Sequence, residues 1–183
     1  PEPDPHPLNG DILHPIIQAA LVSKNPVNDK EYWENWNDLQ LFLAKEGNPL
    51  VIDPVKLTEL SAELARLFLE YEYSRPQHFY EDKKGILDCW KQGHSVQFFS
   101  TSKEDPIETW QRELYGKLFH DEPDAPSFIT QAQASNYLTL TYLFNTHKEK
   151  LKALSNQSIF IFGLSGVGQF HRVILQEIAQ TAS

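Results

Sequence analysis

The sequence is poor in cysteine and in long apolar runs. It contains a single cysteine, Cys89, which excludes an internal disulfide and any metal site built from several cysteines. No apolar run approaches the length of a membrane span, and the N-terminus lacks the basic and then apolar pattern of a signal peptide. We therefore expect a soluble, cytoplasmic protein with no membrane partner.

Positive charge is also scarce. The chain has 16 Lys plus Arg against 25 Asp plus Glu, which gives a formal net charge of -9. An acidic surface repels nucleic acid and anionic lipid, unless a local basic patch overrides the average. The basic residues are scattered, and the only dense group is Lys148, Lys150 and Lys152. The composition therefore predicts no nucleic-acid partner.

The 183 residues are enough for one domain with a proper core. Proline at every odd position from Pro1 to Pro7 forbids a helix there and favours an extended arm. We expect residues 1–10 to form this arm, either disordered or laid across a partner. Residues 11–183 are expected to form a single globular domain.

Helical spacing of apolar residues dominates the chain. Asp11 is placed to cap a first helix, and a second is predicted from Asn28 to about Lys45, with Phe42 on its buried face. The clearest period follows the Asp53-Pro54 cap and ends at Arg75-Pro76; a second Asp-Pro cap stands at Asp105. The residues of the clearest stripe are Leu57, Leu60, Leu64, Leu67, Phe68 and Tyr71.

Three short segments read as strands: 50–52, 95–100 and 158–162. Residues 127–154 are expected to be mostly helical, although residues 137–144 fit either a helix or a strand. The alternation predicts an α/β fold: a helix-rich single domain with a small, mostly parallel sheet of about three strands flanked by helices. An α+β or mostly α arrangement is the alternative.

A glycine-rich turn, Gly163 to Gly168, follows the last predicted strand and precedes a predicted helix. Its two outer glycines match those of a P-loop, but Gln169 stands in place of the lysine and Phe170 in place of the Ser or Thr. The main cation for a triphosphate and a ligand for magnesium are therefore missing. We exclude NTP hydrolysis at this turn.

Two interpretations of the turn remain. The glycines either allow close packing of strand on helix, or their amides hold a phosphate or carboxylate. In a parallel sheet the strand ends would bring further polar groups to the same edge. No metal and no cofactor is expected. The candidate anion site comprises Ser165, Gly166, Gly168, His171, Arg172, Asp53, Ser100 and Ser102.

Aromatic residues crowd two regions, near residues 32–36 and near residues 73–80. They either complete the core around the long helices or are exposed as anchors for a protein partner. The candidate anchors are Tyr32, Trp33, Trp36, Tyr73, Phe79 and Tyr80.

Together, the arm, the acidic surface and the aromatic clusters favour a non-catalytic adaptor or assembly module of an intracellular complex. The alternative is a small α/β enzyme, or a ligand-binding protein, that holds a phosphate- or carboxylate-bearing metabolite at the strand edge. No catalytic residue is assigned. The oligomeric state stays open.

Overall fold

The computed structural model describes residues 5–23, 36–74, 90, 106–120, 126–132, 134, 136–147, 149–150 and 168–181. Helices hold 73% of these residues, with one pair of parallel strands and a separate antiparallel pair. The predicted helix-rich α/β class is confirmed. Two of the three predicted strands, at residues 95–100 and 158–162, lie outside the described residues.

The N-terminal arm is extended where it is described, and it lies on its own chain. Strand β1 (His6–Pro7) runs parallel to strand β4 (Tyr137–Leu138). The His6 N–H donates to the carbonyl of Asn136 at 2.9 Å, and the Leu8 N–H donates to Leu138 at 2.8 Å. Residues 5–8 therefore pack against the domain.

Helix α1 (Gly10–Val22) begins two residues earlier than its pattern suggests. The cap is Asn9 rather than Asp11, since the Asn9 Oδ1 accepts the N–H of Ile12 at 3.1 Å. Asn is as good a cap as Asp, and the apolar stripe of the helix does not distinguish between the two positions.

Helix α2 (Asn37–Leu43) passes directly into a β-hairpin. Strand β2 (Ala44–Lys45) pairs antiparallel with strand β3 (Asn48–Ile52), and Gly47 makes the turn with φ +79°. The helix therefore ends before Lys45, the end that its pattern predicts. Phe42, expected on the buried face, is exposed instead.

Helix α3 (Pro54–Ser74) is the longest described element and matches its prediction at both ends. The Asp53 Oδ1 accepts the N–H groups of Val55 and Lys56 at 2.9 and 3.3 Å, which caps the helix as expected. Leu57, Leu64 and Phe68 are buried.

The remaining elements are shorter. Helix α4 (Pro106–Phe119) follows the second Asp-Pro pair, although Asp105 lies outside the described residues. The expected helix over 127–154 is interrupted: it comprises helix α5 (Phe128–Gln131), strand β4 and helix α6 (Leu140–His147). Residues 137–144 are thus a strand at their start and a helix afterwards. Helix α7 (Gln169–Thr181) follows the glycine-rich turn.

One hydrophobic core joins these elements. Helix α3 lies at its centre and contacts α1, α2, α6 and α7, while α1 also contacts α4 and α5. The side chains that are buried almost completely and fill most volume are Trp36, Tyr115, Phe68, Phe170, Leu13, Ile17, Leu21, Leu43, Leu114 and Leu118. None of the helices in the described ranges is long and apolar enough to cross a membrane.

Candidate functional site

The structure describes only part of the anion site that the glycine-rich turn predicts. Ser100, Ser102, Ser165 and Gly166 lie outside the described residues, so the candidate anion site itself stays a prediction. Gly168 directly precedes α7, where its carbonyl accepts the N–H of Arg172 at 3.2 Å. The His171 and Arg172 side chains are exposed on the first turn of that helix.

Asp53 has a structural role. Its carboxylate is occupied by the first N–H groups of α3, and its own N–H donates to the carbonyl of Leu43 at 2.8 Å. Strand β3, which leads into Asp53, is antiparallel to β2. Asp53 was expected at an edge where the ends of parallel strands meet, but the strand that precedes it belongs to an antiparallel pair.

Of the six candidate aromatic anchors, Trp36 is the one whose side chain is described. It is 1% exposed, and its indole Nε1–H donates to the Glu113 carboxylate of α4 at 2.5 Å. The Trp36 and Trp110 rings lie 6.3 Å apart. Trp36 thus belongs to the core, the alternative stated for these clusters. The side chains of Tyr32, Trp33, Tyr73, Phe79 and Tyr80 lie outside the described set.

Helix α4 supplies a second carboxylate to an indole, and this one is buried. The Nε1–H of Trp90 donates to Glu108 at 3.1 Å, and both side chains are buried. Glu108 stands in the first turn of α4, where a negative charge also favours the helix dipole. These two indole-to-carboxylate bonds satisfy polar groups inside the core, so they are structural rather than catalytic.

The clearest surface feature is a group of exposed apolar side chains that the sequence patterns miss. We call it the hairpin surface, because its members flank or belong to the β2–β3 hairpin. Burial normally removes such side chains from water, and here five of them lie within 15 residues of the sequence. Its members and their exposed fractions are Leu41 (68%), Phe42 (51%), Leu50 (63%), Val51 (44%) and Val55 (62%).

The hairpin surface stands out from the rest of the described chain. Seven large apolar side chains are exposed among the described residues, and only Val22 and Ile107 lie outside this surface. The remainder of the described leucine, phenylalanine and tryptophan side chains are buried or partly buried. The exposed apolar residues therefore have a local cause.

That cause is the backbone geometry around the hairpin. The Lys56 ammonium donates to the carbonyl of Ala44 at 3.0 Å and lies 5.8 Å from the centre of the Phe42 ring. With the Asp53-to-Leu43 bond, this contact fixes the end of α2 against the start of α3. The positive φ of Gly47 then allows the tight turn between the strands. These contacts tie the hairpin to α3 and leave its apolar side chains exposed to solvent.

Two grooves of similar size run along α1. One of about 520 Å³ separates α1 from α3, and one of about 510 Å³ separates α1 from the segment 128–137. Asp11 borders both. The first groove also contains His14, whose Nε2 is buried and has no hydrogen-bond partner among the described residues.

Two charged groups at the rim of the first groove, Arg66 and Glu70, are paired with each other. The Arg66 guanidinium contacts Glu63 at 2.5 Å and Glu70 at 2.7 Å across successive turns of α3. The hydrogen bond from Arg66 lowers the pKa of Glu63, and the same bond raises the pKa of Arg66. All three side chains are solvent-exposed, so this network is a helix-surface feature rather than a site.

The comparisons with known proteins identify the family. No curated protein and no solved structure matches the chain. A family model, described as RecC, N-terminal domain, matches residues 5–183. The prediction of no nucleic-acid partner is wrong, because the RecC N-terminal domain belongs to the RecBCD complex, which binds DNA. The acidic charge of one domain does not fix the ligand of the assembly that contains it. The chain belongs to the RecC N-terminal domain family.

Proposed function

We propose that this domain is a non-catalytic protein-docking module, which holds its subunit against another subunit of a DNA-repair complex. The observation that supports this function is the hairpin surface, where five large apolar side chains are exposed beside a hairpin that hydrogen bonds tie to α3. We also propose the intracellular location that a DNA-bound complex requires.

The exposed side chains offer a partner part of the free energy of an apolar contact. Burying one Val, Leu or Phe side chain fully is worth about 1.5–3 kcal/mol. The five side chains are between 44% and 68% exposed, so each retains roughly half of that gain for a partner. An apolar centre is the common anatomy of a protein interface.

The geometry also limits the entropic cost of docking. The hydrogen bonds from Asp53 and Lys56 hold the hairpin against α3 before any partner arrives. A preorganised surface loses little further freedom on binding, so more of the apolar gain appears as affinity.

The test uses the full-length subunit and the other subunits of its complex. We expect Leu50→Ser with Val51→Ser to weaken assembly by at least tenfold, measured by size-exclusion chromatography and by titration of the labelled subunit. The matched control is Val22→Ser, an exposed apolar position at the end of α1. This control should assemble with the affinity of the unchanged subunit.

Thermal unfolding separates a docking defect from a folding defect. Because the substituted side chains are exposed, all the variants should unfold within a few degrees of the parent domain. If the double variant is folded and assembles with unchanged affinity, the docking function is wrong.

A further inference from the structure

The second groove along α1, which separates this helix from the segment 128–137, joins an apolar floor to a negatively charged rim. We propose that it docks a segment of another subunit in which an arginine or lysine stands beside apolar residues. None of the residues of the hairpin surface lines this groove, so the two sites are separate. The inference therefore goes beyond the docking function proposed for the hairpin surface and does not depend on it.

The floor of the groove is continuous with the hydrophobic core. Ile16 and Ala134 are buried, and Phe128 and Tyr137 are partly buried and pack against the core. The wall at Tyr137 is held in place, because its N–H donates to the carbonyl of Ala134 at 2.9 Å. The groove measures about 510 Å³. This volume lies within the range of about 300–1,000 Å³ that binding pockets commonly have, so the groove can accept side chains of a partner.

The rim presents hydrogen-bond acceptors on both walls. Asp11 is exposed, and no described residue forms an ion pair or a side-chain hydrogen bond with its carboxylate. Pro15 has no N–H, so the Asp11 carbonyl lacks the helical bond that residue 15 would normally supply. On the other wall, the Gln131 Nε2 donates to the carbonyl of Pro126 at 2.6 Å, which leaves the Gln131 Oε1 as an acceptor. The rim therefore favours an occupant that donates hydrogen bonds.

The charge of the groove selects a basic occupant. Of the described residues that line it, Asp11 alone is charged. Arg66, the cation at the border of the first groove, is already engaged by Glu63 and Glu70. An arginine or lysine of a partner brings a positive charge, several N–H donors and an aliphatic stem that can lie along the apolar floor.

Two other occupants fit this groove less well. The phosphate groups of DNA are anionic acceptors, which repel a rim of the same character. Two copies of this domain each have a net charge of -9 and also repel one another. A segment of a different protein chain is therefore the occupant that the groove favours.

Photo-crosslinking in the assembled complex identifies the occupant. A benzophenone amino acid replaces Ala19, an exposed residue that lines the groove, in the full-length subunit. We expect crosslinks to one segment of another subunit, with an arginine or lysine next to apolar residues. Crosslinks to DNA or to a second copy of this chain would overturn the proposal, and so would the absence of crosslinks.

A charge swap then tests the contact with Asp11. A synthetic peptide with the sequence of the crosslinked segment is titrated against the full-length subunit by fluorescence anisotropy. Asp11→Lys should weaken binding at least fivefold, because attraction is replaced by repulsion. A peptide whose basic residue is changed to glutamate should bind the Asp11→Lys subunit within threefold of the original pair. The matched control is Glu59→Lys, the same change of charge at an exposed position outside the groove, and it should alter binding less than threefold.

Circular dichroism melting checks that the variants fold. Since Asp11 and Glu59 are exposed, both variants should melt within a few degrees of the parent. If the folded Asp11→Lys subunit binds the peptide as tightly as the parent does, or if the glutamate peptide does not restore binding, the basic occupant is wrong. Either failure leaves the function of the hairpin surface standing, because Leu50 and Val51 do not line this groove.

Discussion

Phe68 is the best position at which to measure how the core holds the fold. It lies in the C-terminal half of α3 and is 1% exposed. Its ring meets Tyr115 at 5.8 Å and Trp90 at 6.4 Å, both edge to face, and Tyr71 at 6.5 Å in a tilted arrangement. We expect Phe68→Ala to destabilise the domain by about 3–5 kcal/mol, since it removes a buried ring and leaves a cavity.

Phe68→Leu separates ring geometry from apolar burial. Leucine keeps most of the apolar volume but loses three aromatic pairs, each worth about 0.5–1.5 kcal/mol. The pairs share one ring and are not additive, so we expect a loss of about 1.5–3 kcal/mol in total. The stability of the Phe68→Leu variant should therefore lie between that of the parent and that of Phe68→Ala.

Urea denaturation followed by far-UV circular dichroism measures these differences as shifts in the midpoint at a common slope. In a domain of this size, each kcal/mol lowers the melting temperature by about 2–4 °C, so Phe68→Ala should melt roughly 6–20 °C lower. Val55→Ala is the control, because Val55 is exposed on the same helix, and it should change stability by less than about 0.5 kcal/mol.

Two outcomes would refute the reasoning. If Phe68→Ala is no more destabilising than Val55→Ala, Phe68 does not lie in the core. If Phe68→Leu is as stable as the parent, the three ring contacts contribute nothing beyond apolar burial.

Three smaller predictions concern the caps, the turn and the surface charges. Asp53→Ala should cost about 1 kcal/mol in chemical denaturation, because α3 loses its cap, and Asp53→Asn should restore most of it. Gly47→Ala should cost about 1–2 kcal/mol, because φ is +79°, whereas Gly10→Ala meets no atom within 4 Å and should be near neutral in the same assay. Arg66→Ala should raise the pKa of Glu63 towards its ordinary value, seen by carboxyl NMR titration; an unchanged pKa would contradict the observed pairing. In the parent, the stability from the Glu63 pair is present above the unfolded pKa of Glu63 and disappears as the pH falls through the lower folded pKa.

Local signals account for the elements that the sequence predicts well. Helix α3 follows from the Asp53-Pro54 cap and a continuous apolar stripe, and both act within a few residues of one another. Helix α7 and the short strand β3 are predicted for the same reason. Each of these patterns needs no information about the rest of the chain.

Long-range contacts explain what the sequence did not predict. The pairing of β1 with β4 joins residues that are far apart in the sequence, and the alternating prolines of the arm do not indicate a paired strand. The interruption of the helix after Gln131 accompanies this pairing, because residues 136–138 accept the arm. A periodic pattern alone does not contain either contact.

The hairpin surface escaped prediction because helical spacing assigned Phe42 to a buried face. Helix α2 ends at Leu43, where the chain turns into the hairpin, and so the spacing no longer describes the packing. The signal that was present is Leu50-Val51, two apolar residues directly after the Gly47-Asn48-Pro49 turn. The match to the family model, by contrast, extends over residues 5–183 and does not rest on any one motif.

The parallel pairing of β1 with β4 sets the earliest time at which the N-terminal arm can reach its place. About 130 residues separate His6 from Tyr137, and ribosomes add roughly 5–20 residues per second, so the first strand waits roughly 7–26 seconds for its partner. Helices α1 and α3, which are closer in sequence and pack together, can associate much earlier. The arm is therefore the last of these contacts to form, and a nascent chain halted before residue 137 keeps its first strand unpaired.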